Sequence, residues 1–272
     1  MLDFALNQVT MAATPLPAFL AAAEKLGCYG VELRNDLARP TFDGLPEKSV
    51  RDMLQDHDLK LLGLSQIYPC NRWSASLATE SQTLIASAVE LGAEAINLIP
   101  CNDGTRLSAP ERLDDLKRGL EALLPLLNDA GMAAYLEPLG FARASLQQKT
   151  EAVEVIQSIG ASGTIKIVHD TFHHALAQES DLYPSETGIV HISGVTATDL
   201  PLSNLEDDHR VLVDPADRLD NLGQITALLE AGYAGSFSFE CFAPSLQTRP
   251  TLTTEIRRSI EFITAHLQSK AA

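Results

Sequence analysis

Four times in the second half of this chain, a short apolar run stops at a polar residue able to bind a cation. Ile165-Lys166-Ile167-Val168-His169 ends at Asp170, with His173 and His174 close behind. Ala133-Ala134-Tyr135-Leu136 ends at Glu137, Gly188-Ile189-Val190 leads into His191, and Phe237-Ser238-Phe239 ends at Glu240. Such a run is what a buried strand looks like when it delivers a polar group to a pocket. Strands that alternate with helical segments pair in parallel through βαβ units, so their carboxyl ends share one side. The pattern points to a closed parallel barrel whose strand ends converge. Three carboxylates and an imidazole tolerate one confined site only around a cation.

The alternation holds from the start. Phe4 to Asn7 reads as a strand, and Leu16 to Leu26 as a helix with Pro15 before it and Gly27 just past its end. Gly30 to Arg34, Lys60 to Leu64 and Ala95 to Ile99 are strands two to four, separated by helices over Pro46 to Asp56 and Thr79 to Leu91. A long helix, Ala109 to Ala130, precedes strand five, and Lys149 to Ile159 precedes strand six. Between strands six and seven, residues Ala175 to Glu186 promise only one or two helical turns. Gly194 to about Asp220 is the longest irregular region, and a loop of that length in a compact domain is usually functional. Leu222 to Ala231 is a helix, Gly235 to Glu240 is strand eight, and Thr251 to Gln268 closes the chain. At 272 residues this is one domain over residues 1–272, a single (β/α)8 TIM barrel, for which about 250 residues is typical.

Composition narrows the partners. Lys and Arg number 20 against 36 Asp and Glu, a formal charge of −16, so a polyanion meets long-range repulsion and nucleic acid is excluded as an expected partner. Cysteines 28, 70, 101 and 241 are far apart and unpaired in spacing, which fits a reducing compartment rather than a disulfide framework. Met1-Leu2-Asp3-Phe4 has no basic leader and no long apolar segment follows, so the expectation is a cytoplasmic protein with no membrane contact. A homo-oligomer is compatible with the sequence.

Glu137, Asp170, His191 and Glu240 form a mostly oxygen ligand set suited to one divalent ion: Mn²⁺, Mg²⁺ or Co²⁺, with Zn²⁺ also allowed. Such a site is a Lewis acid for a polyhydroxy ketone, polarising the carbonyl and stabilising an enediolate. Glu137 and Glu240 can then remove and return a proton, while His173 and Arg210 hydrogen-bond substrate oxygens. Each residue has a plainer reading. An acid after an apolar run commonly caps a helix or forms a turn, but recurrence on four strands at the same end favours ligands. His169 faces the opposite side from Asp170 and packs; His174 caps or packs; His209 and Arg210 also read as surface charge. Glu32 and Arg34 line the pocket or form a structural pair, and Trp73 shapes the pocket wall or anchors a loop. The cysteines pack, with Cys241 beside Glu240 open to oxidation.

The order Glu, Asp with His three later, His, Glu on strands five to eight resembles the xylose isomerase-like barrel superfamily across essentially the whole chain. Within it, the 2-keto-myo-inositol (inosose) isomerase branch is most similar, through Leu136-Glu137-Pro138-Leu139-Gly140-Phe141, His169-Asp170-Thr171-Phe172-His173-His174, Val190-His191-Ile192-Ser193, Asp208-His209-Arg210-Val211 and Gly232 to Phe242. The resemblance implies a metal on Glu137, Asp170, His191 and Glu240, substrate contacts from His173 and Arg210, and isomerase chemistry in inositol or carbohydrate metabolism. Ketose 3-epimerases and inosose dehydratases share the fold, as do AP endonucleases. An endonuclease needs more histidine ligands and a basic groove; a non-catalytic sugar-binding protein keeps the barrel without turnover. Two departures adjoin the pocket: Ser193-Gly194 where relatives often carry acids, and Arg210-Val211-Leu212-Val213-Asp214-Pro215-Ala216-Asp217 where they read Arg-x-x-Pro-Gly-x-Gly.

Overall fold

The structure is a computed structural model describing residues 2–271. In chain order its elements are β1 (Phe4–Asn7), α1 (Leu16–Leu26), β2 (Gly30–Arg34), α2 (Glu47–Asp56), β3 (Lys60–Ile67), α3 (Ala75–Leu91), β4 (Ala95–Leu98) and α4 (Ala109–Ala130). These are followed by β5 (Ala133–Leu136), α5 (Lys149–Ser158), β6 (Ile165–Asp170), α6 (Thr171–Ala177), β7 (Thr187–Ile192), α7 (Asn221–Glu230), β8 (Phe237–Phe239), α8 (Pro244–Gln247) and α9 (Leu252–Ala271). Each strand pairs in parallel with the next, and β8 returns to β1, so the sheet closes as a single (β/α)8 TIM barrel. Among the described residues no helix is long and apolar enough to cross a membrane.

Strand alternation divides the interior. Ile165 and Ile167 of β6, Val190 and Ile192 of β7, and Phe237 and Phe239 of β8 turn outward into the core between barrel and helices. The intervening residues turn inward. Ala5, Leu62, Val168 and Ile189 pack inside the barrel against Tyr135, and above this plug the inward positions become polar. A third apolar cluster, including Leu139, Phe141, Phe172, Val195, Leu205 and Leu219, packs the loops that surround the upper ends of β5 to β7.

Boundaries differ from the sequence reading where caps decide them. Helix α3 starts at Ala75 rather than Thr79 because the Ser74 side chain accepts a hydrogen bond from Leu77 N. Strand β3 continues to Ile67, pairing with β4 beyond a register shift, and β8 is confined to Phe237–Phe239. The largest revision concerns the segment after β6: a helix forms at once, over Thr171–Ala177, because Asp170 Oδ1 accepts from both Phe172 N (2.8 Å) and His173 N (2.9 Å). His173 and His174 therefore ride on a capped helix. The expected turns over Ala175 to Glu186 reduce to its last residues and an irregular connection.

Candidate metal centre

Glu137 follows β5 directly, Asp170 ends β6, His191 lies in β7 and Glu240 follows β8. All four are inward positions at the carboxyl ends of their strands, where the active sites of such barrels lie. Barrel closure brings them together: one ligand atom from each lies within 4.8 Å of every other, and all four residues are buried. His191 Nδ1 stands 3.3 Å from Glu240 Oε2, 3.6 Å from Glu137 Oε1 and 3.9 Å from Asp170 Oδ2. None of these contacts has the alignment of a hydrogen bond, and the nitrogen has no hydrogen-bond partner.

The other ring nitrogen explains the orientation. Glu32 Oε2 accepts from His191 Nε2 at 3.1 Å, both side chains being fully buried, and from Asn97 Nδ2 at 3.0 Å; Asn97 Nδ2 also lies 2.9 Å from Ser65 Oγ. A carboxylate can only accept, so the proton sits on Nε2 and the Nδ1 lone pair faces the cluster. Gly63 leaves the space for this pair, since a Cβ there would approach Glu32 Oε2 and Asn97 Oδ1 at 3.1 Å. Glu32 and Arg34 do not pair with each other: each bonds a different partner. Glu32 lies beneath the site, and Arg34 lines it, donating to Glu240 Oε1 at 2.9 Å while its other nitrogens hold Asp36 at 2.8 and 2.7 Å.

Arg210 is a buried element of the cluster, 1% exposed, rather than surface charge. Its Nη2 donates to Asp170 Oδ2 (2.5 Å) and Glu240 Oε2 (2.9 Å), and its Nε to Ser193 Oγ (3.0 Å). The guanidinium lies 5.1 Å from the Phe172 ring centroid and 4.8 Å from that of Phe242. The two departures noted in the sequence serve this arrangement. Ser193 supplies the acceptor, and Gly194 and Val211 exchange backbone hydrogen bonds of 2.7 and 2.8 Å, which fix the loop carrying Arg210. A Cβ on residue 194 would come within 2.8 Å of Leu212 O, so that bridge requires glycine.

Asp170 resolves the choice between cap and ligand by doing both: Oδ1 caps α6 and Oδ2 faces the cluster. His173 stands with Nε2 4.0 Å from Glu137 Oε1 and its ring edge-on to Phe141. Both Glu137 and His173 line a cavity of about 250 Å³ that also reaches Arg210, Glu240, Tyr68 and Phe242. The remaining candidates lie elsewhere. His169 faces outward and bonds Gln224, His174 packs against the His169 ring and bonds Lys149, and His209 bonds its own turn at Glu206. Trp73 is partly buried against the core as a loop anchor. Cys241 is fully buried and burial pushes its thiol up to about 12, which removes the expected sensitivity to oxidation. Asn7, which donates to Glu240 Oε1 at 3.1 Å, was not singled out by sequence, nor was Asn97.

Electrostatics tests the cluster for a cation. Four buried carboxylates (Glu32, Glu137, Asp170 and Glu240) face two buried guanidiniums (Arg34 and Arg210), which also bond the more exposed Asp36 and Asp207, so negative charge is in excess at the site. Burial, then the Glu240 charge, pushes Glu137 up to about 7, and burial raises Asp170 as well. Burial also opposes ionisation of Glu240, but His191, Arg210 and Arg34 outweigh it and hold that carboxyl well below the usual range. For His191, burial disfavours the charged ring, yet Glu240, Glu32 and Glu137 raise its pKa well above the ordinary value. The site attracts positive charge onto Nδ1, and three carboxylate oxygens with one imidazole nitrogen match a divalent metal in donor type. Burial, then Arg210, pulls His173 down to about 3, so its imidazole is neutral.

The family of xylose isomerase-like TIM barrels matches residues 20–266. No curated protein matches the sequence. Among solved structures, a xylose isomerase domain containing protein from Salmonella typhimurium LT2 is 28% identical, with 97% of each chain covered and a TM-score of 0.89. The IolI protein, solved with a binding zinc atom, is 22% identical over 98% of each chain, with a TM-score of 0.80. D-psicose 3-epimerase from Clostridium cellulolyticum H10, solved with D-tagatose, is 14% identical over 97% of this chain and 99% of its own, with a TM-score of 0.76. The last two show a shared fold, and the family match over residues 20–266 shows that this chain belongs to the xylose isomerase-like TIM barrel family.

Proposed function

We propose that the protein is a divalent-metal-dependent isomerase or epimerase of a keto-polyol, with Glu137, Asp170, His191 and Glu240 as metal ligands and a 2-keto-myo-inositol type compound as first substrate. The observation that carries this reading is the buried His191 Nδ1, without a hydrogen-bond partner, aimed at three carboxylates in a cluster no wider than 4.8 Å. A divalent cation bound there supplies Lewis acidity toward a substrate carbonyl and its enolised form.

The chain's own residues account for the proton movements. Glu137, buried at the end of β5 and lining the cavity beside His173, serves as one proton carrier. Glu240 stays ionised among Asn7, Arg34 and Arg210 and serves as the second proton carrier. His173, neutral and beside Glu137, hydrogen-bonds a substrate oxygen, and Arg210 follows negative charge as it moves between substrate oxygens. Return of the proton to the neighbouring carbon gives isomerisation. Return to the same carbon from the other face gives epimerisation, the activity for which the structural neighbours D-psicose 3-epimerase and L-ribulose 3-epimerase are named. The DNA-repair class is disfavoured by the net charge of −16 and by the presence of a single grouped ligand set among the described residues.

Metal-loaded protein incubated in D₂O with 2-keto-myo-inositol and with ketohexoses tests the reading by NMR. Deuterium is expected at a carbon adjoining the carbonyl; absence of exchange in every substrate sinks both the isomerase and the epimerase.

A further inference from the structure

Beside the 250 Å³ cavity at the cluster lies a larger one of about 670 Å³, between the β2–α2 loop and α3. Gln66 and Tyr68, just at and beyond the end of β3, line both. The first cavity falls below the ~300–1,000 Å³ of pockets for drug-sized ligands and suits one small ring; the second falls within that range. The two cavities thus meet at Gln66 and Tyr68.

Three observations indicate what the larger cavity takes. Its floor is apolar, with Phe42, Leu45, Ile67, Leu77 and Leu84, while its rim carries hydroxyl, amide and carboxylate groups such as Thr79 and Glu80. That is the complement of a sugar ring, which presents C–H faces and hydroxyl edges together. Tyr68 stands at the junction with 41% of its surface exposed, an aromatic face with no core to cover. The junction is also fixed: Asn35 accepts from Gln66 N at 2.9 Å and donates to Gln66 O at 3.3 Å. Charge narrows the class further. Among the described residues lining either cavity the only arginines or lysines are Arg34 and Arg210, and both are bonded to carboxylates, so no free cation is available for a phosphate.

We propose that this groove is a second sugar subsite, and that the substrate is an uncharged glycoside: a keto-polyol unit at the acidic cluster, linked to a second ring lying over Tyr68 in the groove. The inference rests on the proposed function for the placement of the keto unit, but the groove itself is tested by binding. With ¹⁵N-labelled protein, D-fructose is compared with its glycosyl derivatives turanose, maltulose, lactulose and isomaltulose, which differ in the hydroxyl that carries the second ring or, for maltulose and lactulose, in the ring itself. The amides of Thr79, Ser81 and Thr83 should shift with at least one disaccharide and not with D-fructose. Thr83→Trp, a ring added at an exposed position of the groove wall, should weaken that disaccharide by about tenfold or more and leave D-fructose binding unchanged. If no disaccharide moves those amides, or if Thr83→Trp binds the disaccharide as wild type does, the subsite is refuted. Deuterium exchange into D-fructose without groove shifts would keep the proposed chemistry and remove this inference; groove shifts without exchange in any substrate would do the reverse.

Discussion

Two buried charged clusters adjoin α6, one around His174 and one around Asp170, and they differ in whether they are electrically complete. In the first, Lys149 Nζ sits 3.2 Å from a Glu179 oxygen, both side chains almost fully buried, and bonds His174, whose ring packs 4.7 Å from that of His169. Burial pulls Lys149 down and, with Lys149's own charge, pulls His174 down to about 4 and His169 well below its ordinary value. Both imidazoles are neutral there, and one cation faces one anion. In the second, four carboxylates face two guanidiniums, and the one imidazole is driven toward positive charge. The comparison teaches that burial alone does not mark a functional site. A closed pair beside His174 asks for nothing further, whereas the excess of negative charge around Asp170 asks for a metal ion.

The sharpest break between the clusters comes from removing one carboxylate of the open one. Glu240→Gln should lose bound metal and lower turnover by about 10²–10⁴-fold, the range for a lost acid–base group, as read by metal analysis and deuterium exchange. Unchanged metal and unchanged activity would mean that the site is misplaced. Next in size is Lys149→Met, which strands Glu179 and should lower stability by roughly 3–5 kcal/mol while metal stoichiometry stays at the wild-type value. Thermal unfolding with metal analysis checks it, and metal loss in this variant would join the two clusters into one. Chelation should act on the cluster around Asp170 alone. A metal present at ~100 times its Kd stabilises by about 2.7 kcal/mol, and the same decrement on chelation is expected in Lys149→Met as in wild type, because Lys149 bonds Glu179 and His174 and none of the four ligands. The smallest effect belongs to Glu32→Gln, which leaves all four ligands but loosens the hold on His191. Metal affinity should fall about 10–100-fold by competition titration, whereas equal affinity would leave Glu32 without an orienting role.

The fold was largely legible because alternation with period two and helix caps are local signals. Ile165 to Asp170 and Phe237 to Phe239 show their inward and outward faces in the sequence itself. Less legible was α6, since the acid that ends β6 also caps a helix, and a pattern that assigns Asp170 one role hides the other. Glu137, Asp170, His191 and Glu240 stood out because each interrupts an apolar run at the same end of a strand. Of the residues that hold them, Glu32, Arg34 and Arg210 stood out without their partners, and Asn7 and Asn97 did not stand out. Asn7 and Glu240 are 233 positions apart and meet only through closure of β8 on β1. Arg34 and Glu32 alternate in β2 without marking whether a partner waits inside. Gly63 was the available signal, an interior-strand glycine that marks a close approach.

The account's central claim is that a single divalent ion belongs among side chains from four strands. Anomalous diffraction from a crystal of the protein grown with Mn²⁺ or Zn²⁺ tests it directly. The expected result is one peak within bonding distance of Glu137, Asp170, His191 Nδ1 and Glu240, with Glu32 on the far side of the imidazole. A cluster that remains metal-free at saturating Mn²⁺ and Zn²⁺, with Arg210 still bonded to Asp170 and Glu240, would contradict it.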